Sequence, residues 1–355
     1  MKNLFLNGRF LVQSLSGVQR FAREVTDALA AIVPENDPLR PVILLPPDSH
    51  ETGPLTGPGL KRKKVGKWRG QIWEQFSLSV AARKGILLNL GNTGPVFGGK
   101  RFVVMHDAGV FAIKDSYSFA FRWWYRLLFL LLSRSGTKLI TVSNFSQREL
   151  AKYLHIPAQR ISVIQEGADH ILKVQADESI LQKHSLETGR FILAVGNLAP
   201  HKNLKILNSL SSVLEKSNLK LVISGSFNNA VFNTKSELPS FATFVGRVND
   251  AELHALYRHA AVLIFPSIYE GFGLPPVEAM TCGCPVIATD IPVLREVCGN
   301  AALFFKNEVE LKDAVLHLSQ DNNLRETLKK HAFAQSKNYR WKNTAQQILE
   351  IIKDK

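Results

Sequence analysis

The sequence is poor in cysteine, in acidic side chains relative to basic ones, and in long apolar runs. Its three cysteines, Cys282, Cys284 and Cys298, form no Cys-x-x-Cys pair and have no histidine at zinc spacing. Neither a disulfide framework nor a metal site is therefore expected, and buried reduced thiols are the simpler reading. No apolar run reaches the roughly 18–20 residues of a membrane-spanning helix. The strongly apolar segment FAFRWWYRLLFLLL (119–132) is interrupted by Arg122 and Arg126. It reads as a helix, either buried behind a sheet or lying in a membrane interface with its arginines snorkelling. The opening MKNLFLNGRF is too short and too polar for a secretory leader, so a cytoplasmic protein is expected. Internal repeats of solenoid period and low-complexity tracts are also lacking, which excludes solenoid and disordered classes.

What is present is the composition of a folded protein: 355 residues, 45% hydrophobic and 21% charged, a length that suits two domains. The net charge of +14 is lopsided. Residues 1–172 hold 23 Lys and Arg against 12 Asp and Glu, whereas residues 173–355 hold 21 against 18. The run KRKKVGKWRG (61–70) reads either as a solvated loop or as a patch drawn to an anionic membrane surface, at about 1 kcal/mol per basic residue. No nucleic acid is expected as a partner, because no binding motif accompanies the basic residues.

Short aliphatic runs alternate with helix-like stretches, the rhythm of parallel α/β sheets. Strands are predicted near 3–6, 42–45, 86–90, 102–105, 138–142 and 161–164, then near 191–195, 219–223, 242–245, 261–265 and 284–288. The polar stretch 167–190 is the predicted junction between two domains. Ligands of such sheets bind beyond the carboxyl ends of strands. There the sequence places His106-Asp107, Ser143-Asn144-Phe145-Ser146, GNLAPHKN (196–203), Gly225-Ser226 and the run IYEGFGLPPVE (268–278). Ser143 and Ser146 read as helix caps. In the last run Gly271 and Gly273 permit a tight loop, and Pro275 or Pro276 suits the first turn of a helix. The helix N-terminus would be a site for a diphosphate, with Glu278 near its first turn placed to accept from a ribose diol.

The segment PSIYEGFGLPPVEAMTCGCPVIATD, with Glu270 and Glu278 eight apart, resembles the two-glutamate signature of the family 4 retaining glycosyltransferases, which include bacterial mannosyltransferases of O-antigen, capsule and exopolysaccharide synthesis. The resemblance covers nearly the whole chain: NGRF and SLSGVQRFAREV near the start, His106, TVSNFS, EGADH (166–170) and VGNLAPHKNL follow in the same order. It implies the GT-B fold, two Rossmann-like domains facing across a central cleft. Residues 1–172 would be an acceptor-binding domain, 173–338 a nucleotide-sugar-binding domain, and 339–355 a terminal helix crossing back to the first.

By the same resemblance, Glu270 contacts the donor sugar with the backbone of Gly271, Phe272 and Gly273, beside Leu274, while Glu278 holds the ribose and Lys202 neutralises the diphosphate. His106 faces the transferred sugar, and the loop at Gly17 covers the phosphates. Gln19 and Arg20 belong to the acceptor side. Where the family commonly has an arginine, Asn197 and His201 stand here, and Arg247 is the candidate second cation. The sequence has no Asp-x-Asp pair of the kind that brings a metal to a nucleotide-sugar, so no cofactor is expected. The implied activity is a retaining, metal-independent transfer of a hexose, mannose from GDP-mannose first, to a lipid-linked or oligosaccharide acceptor. UDP- or dTDP-sugars, an epimerase or phosphorylase on the same architecture, and a non-catalytic nucleotide-sugar-binding scaffold are the alternatives. Peripheral attachment to the cytoplasmic face of an inner membrane fits the basic first half.

Overall fold

The computed structural model describes residues 3–47, 49–50, 55–57, 59–113, 115–225 and 238–354; Ser226 lies outside them. The chain divides into two compact units, Met1–Gly167 with Trp341–Lys355, and Ala168–Arg340. It leaves the first unit at Gly167 rather than at 172, and re-enters it at Trp341 rather than at 339.

The first unit holds β1 (Leu4–Asn7), β2 (Val42–Leu45), β3 (Lys61–Lys64), β4 (Ile86–Asn89), β5 (Lys100–Val104), β6 (Lys138–Thr141) and β7 (Ile161–Val163). They pair in parallel in the order β3-β2-β1-β4-β5-β6-β7. The second holds β8 (Phe191–Val195), β9 (Lys220–Ser224), β10 (Thr243–Gly246), β11 (Val262–Phe265), β12 (Val286–Thr289) and β13 (Ala302–Phe305), parallel in the order β10-β9-β8-β11-β12-β13. Strands covered on both faces read as continuous apolar runs, and β2, β4, β8, β11 and β12 do. Two strands depart from the sequence reading. β3 is the KRKK run, exposed throughout and paired with β2 at the sheet edge, where its charge blunts further pairing. β13, the edge strand ALFF, had no alternation or length to announce it.

Five helices carry or brace the residues of interest: α1 (Gly17–Ile32), α2 (Phe119–Arg134), α3 (Asp250–His259), α4 (Leu274–Thr281) and α5 (Trp341–Lys353). α1 buries Phe21, Ala22, Val25 and Leu29, spaced along one face, and α5 meets it with Trp341, Ala345, Ile348 and Ile352. The Phe21 and Trp341 rings meet edge-on at 5.8 Å. α2 divides between its two sequence readings. Leu128, Phe129 and Leu132 join the core with Val103 and Leu139, while Phe119 and Trp123 at the other end are 80% and 60% exposed. Ser143 caps the helix that follows β6 by accepting from Ser146 N–H at 3.0 Å. Among the described residues no helix is long and apolar enough to cross a membrane.

Candidate active site

In an open parallel sheet a crevice forms where the strand order reverses, because the loops on either side leave in opposite directions. In the second unit that point lies between β8 and β11. After β8 come Gly196, Asn197 and a tight turn, Pro200–Lys202, closed by Asn203 at φ 49°. After β11 comes the loop of Glu270. Ile268 N–H donates to the His201 carbonyl at 2.9 Å and ties the two loops together. Lys202 Nζ donates to Glu270 Oε1 at 2.6 Å, with the two side chains 19% and 14% exposed. The ammonium also lies 5.6 Å from the centre of the Phe265 ring. Lys202 and Glu270, 68 residues apart in the chain, are thus brought together at the switch point.

The neighbouring loops are built to let this happen. A Cβ on Gly225 would fall 1.8 Å from the Gly196 carbonyl oxygen, so glycine there lets the chain after β9 close on the loop after β8. Asn197 is exposed, and its Oδ1 accepts from Ala199 N–H at 3.2 Å, which shapes the turn. His201 is pushed down to about 4 by burial and by Lys202, with Glu270 opposing. At neutral pH it carries no charge, so Lys202 is the cation of this loop. Arg247 lies exposed after the edge strand β10, two strands from β8 and roughly 10 Å across the sheet. The Ser267 hydroxyl, in a residue 1% exposed, has no partner among the described residues. Such a group costs about 1–3 kcal/mol unless a ligand or water satisfies it.

α4 opens the same rim. Its N-cap, Gly273, has φ 99°, and Leu274 and Pro275 begin the helix, so its first N–H groups and its positive dipole end face the Glu270 loop. The positive φ falls on Gly273 and not on Gly271. The Phe272 side chain packs edge-on against Tyr339 at 5.5 Å, and Gly271, Phe272 and Gly273 are all buried. Glu278 lies at the fifth position of α4, just past the first turn and so near it, as the sequence placed it, and is 4% exposed. Its Oε2 accepts from Tyr257 OH on α3 at 2.9 Å, and its Oε1 lies 3.0 Å from His170 Nε2. Burial and Glu278 push the Tyr257 phenol well up, so it stays a donor.

In the first unit His106 follows β5 and is 5% exposed. Its Nε2 lies 3.0 Å from the Leu90 carbonyl, and its Nδ1 lies 3.4 Å from Glu166 Oε1. Asn92 Oδ1 accepts from its backbone N–H at 2.8 Å, and Phe21 meets the ring edge-on at 4.8 Å. The Leu90 carbonyl and the Glu166 carboxylate are both acceptors, so each ring nitrogen faces an acceptor of its own unit. Gly17 is the exposed first residue of α1, and nothing lies within 4 Å of a Cβ built there. Gln19 accepts from the Ser16 hydroxyl and donates to Gln13 Oε1 at 3.0 Å, while Arg20 N–H donates to the Ser16 carbonyl at 2.8 Å. Sequence reasoning missed Tyr257, which belongs to no motif. EGADH reads from sequence only as a motif, and the fold gives its Glu166 and His170 their partners, His106 and Glu278. Among the described residues no group of three or more His, Cys, Asp or Glu is arranged to hold a metal.

Residues 176–335 match the profile of the family described as "Glycosyl transferases group 1". The chain is 32% identical over 232 residues to O-antigen chain mannosyltransferase B of Escherichia coli, covering 62% of this chain and 61% of that protein. It is 30% identical over 272 residues to O-antigen chain mannosyltransferase RfbU of Salmonella typhimurium, covering 72% of this chain and 73% of that one. Anabaena HepE, solved in complex with UDP and glucose, superposes over the full length of both chains with a TM-score of 0.74 at 18% identity. That likeness shows the fold, two Rossmann-like domains of the GT-B class.

Proposed function

The chain belongs to the group 1 glycosyl transferases, and on that premise we propose that it moves a hexose from a nucleotide-sugar to a saccharide acceptor with retention of configuration and without a metal. The observation that carries this reading is the Lys202–Glu270 pair at the switch point of the second sheet. A cation beside a helix N-terminus meets the charge of a departing nucleoside diphosphate, and the adjacent carboxylate accepts from sugar hydroxyls. The C1–oxygen bond of the donor breaks with its electron pair leaving on the phosphate. The acceptor hydroxyl attacks C1 from the same face and gives its proton to the departing phosphate oxygen. Glu278, fixed by Tyr257 and His170, holds the ribose. Gly17 attends the phosphates and His106 the transferred sugar, a role that requires Nε2 to exchange the Leu90 carbonyl for a sugar hydroxyl.

The relatives named as O-antigen mannosyltransferases favour mannose from GDP-mannose and an acceptor in surface polysaccharide synthesis, lipid-linked or oligosaccharide. UDP, present in the HepE structure, keeps UDP-sugars as the second reading. A thermal-shift panel of GDP-, UDP-, dTDP- and ADP-sugars on the wild type and Lys202→Ala tests both, since a ligand bound only by the native state raises its stability. One donor is expected to shift the wild type and not the variant. No shift from any donor would move the reading to a donor outside the panel or to a protein that binds its acceptor first. Retention is checked by the anomeric configuration of the product. Attachment to an anionic membrane is proposed from two features of the first unit, the lysines of β3 and the exposed aromatic end of α2. Flotation with anionic vesicles that weakens as salt rises is the expected outcome, and no flotation at low salt would sink it.

A further inference from the structure

Folded proteins rarely leave a buried hydroxyl without a partner, and one that persists marks strain, a catalytic role, or a bound water or ion. Ser267 carries such a group. It is 1% exposed, and its Oγ has no hydrogen-bond partner among the described residues. It stands two residues past the end of β11, beside the point where the strand order of the second sheet reverses. Alanine would fill nearly the same space, so packing alone does not call for a hydroxyl here.

The residues on either side of Ser267 fix its surroundings. Phe265, two positions before it, has the Lys202 ammonium 5.6 Å from its ring centre. A Cβ built on Gly273, the N-cap of α4, would lie 4.0 Å from Cε1 of the same ring. Ile268, one position after it, donates its N–H to the His201 carbonyl at 2.9 Å. Ser267 is therefore held in the seam between the Lys202 loop and the Glu270 loop, where an ammonium and the positive end of a helix meet. An anion is the ligand such a seam favours, and a hydrogen bond to an anionic oxygen is roughly twice as strong as one to a neutral acceptor. We propose that the Ser267 hydroxyl is a further contact to the leaving diphosphate. It donates to a phosphate oxygen once the diphosphate has taken the place of Glu270 on Lys202. Until then the hydroxyl is unpaired, and satisfying it adds to the affinity for the diphosphate. Naming the anion as the leaving group rests on the transferase reading; that this hydroxyl meets a phosphate oxygen does not.

The test pairs two measurements on the full chain of the wild type, Ser267→Ala and Lys202→Ala. One is the melting temperature without ligand; the other is isothermal titration with GDP, UDP and inorganic pyrophosphate. Removing a hydroxyl that has no partner should leave the melting temperature of Ser267→Ala unchanged or raise it by about 2–4 °C. The same variant should bind pyrophosphate and the preferred nucleotide about tenfold or more weakly, the loss of one hydrogen bond to a charged group. A purely structural serine would do the opposite, lowering the melting temperature and keeping the affinity. A fall in melting temperature overturns the proposal, because the hydroxyl then has a partner in the free protein, such as a trapped water. Unchanged affinity for every probe the wild type binds overturns it too, as does a wild type that binds none of them. Binding weakened by Lys202→Ala and not by Ser267→Ala would sink this contact alone and leave the transferase reading standing. Pyrophosphate binding lost in Ser267→Ala from a protein that transfers no sugar would uphold the contact and sink only that reading.

Discussion

Replacing Glu270 by glutamine removes a charge without changing the shape of the loop after β11, and the Lys202 ammonium then loses the carboxylate it holds at 2.6 Å. A diphosphate arriving at Lys202 must compete with that carboxylate in the wild type and not in the variant. At roughly 6 Å, like charges repel by about 0.7 kcal/mol in water and about 2.8 kcal/mol at the effective dielectric of a protein surface. With salt screening, about 1 kcal/mol remains, so Glu270→Gln should bind a bare nucleoside diphosphate about fivefold more tightly. Lys202→Ala removes charge-assisted hydrogen bonds of about 1.5–3 kcal/mol each and should bind it at least about tenfold more weakly. Transfer should fall in both, because Glu270 also meets the sugar. The stability cost of Glu270→Gln should be about 1–2 kcal/mol, between that of an exposed and a fully buried pair. Isothermal titration with GDP and UDP, beside urea unfolding, reads both quantities. Nucleoside diphosphate binding weakened alike by the two variants would refute the reasoning, since Glu270 would then serve only to hold Lys202 in place.

Acid should expose His201. Its folded value of about 4 lies below the ordinary 6.5, so the unfolded chain binds more protons between those values. The contribution of His201 is intact above pH 6.5 and is lost as pH falls toward 4. The loss should be about 1 kcal/mol at pH 5 after screening, and a His201→Asn variant should flatten this part of the urea-midpoint profile. Tyr257→Phe leaves Glu278 Oε2 without its phenol and should cost about 1.5–3 kcal/mol in urea unfolding; a loss under 0.5 kcal/mol would show that the bond carries no weight. A Cβ on Gly167 would fall 2.3 Å from Trp341 N and 2.7 Å from its ring, so Gly167→Ala should undock the start of α5 and lower the melting temperature by several degrees. An unchanged melting curve would contradict that packing.

Sequence reasoning found the apolar strands because a strand buried on both faces must be apolar, whatever its neighbours are. β3 escaped for the opposite reason: nothing in Lys61–Lys64 distinguishes an edge strand from a solvated loop until β2 is beside it. Lys202 and Glu270 were legible because each sits in a glycine- and proline-rich loop after a strand. Their ion pair was not, because it depends on β8 and β11 being adjacent despite the two strands between them in the chain. Glu278 was legible near the first turn of α4 because the prolines mark the helix start to within two residues, Leu274 being the actual first. Glu74 gave no signal: its partners Arg9 and Thr93 are 65 and 19 residues away, and only the folded sheet assembles them.

The second unit is one continuous stretch inserted into a first unit whose last helix comes from the far end of the chain. During synthesis, α1 is complete long before Trp341 and Ile348 exist to cover Phe21 and Val25. At about 5–20 residues per second, that apolar face waits tens of seconds for its cover. The inserted unit can fold on emergence, so the vulnerable intermediate is a first sheet with its α1 surface bare. A ribosome-bound chain that stops short of α5 should therefore be the form that holding chaperones retain.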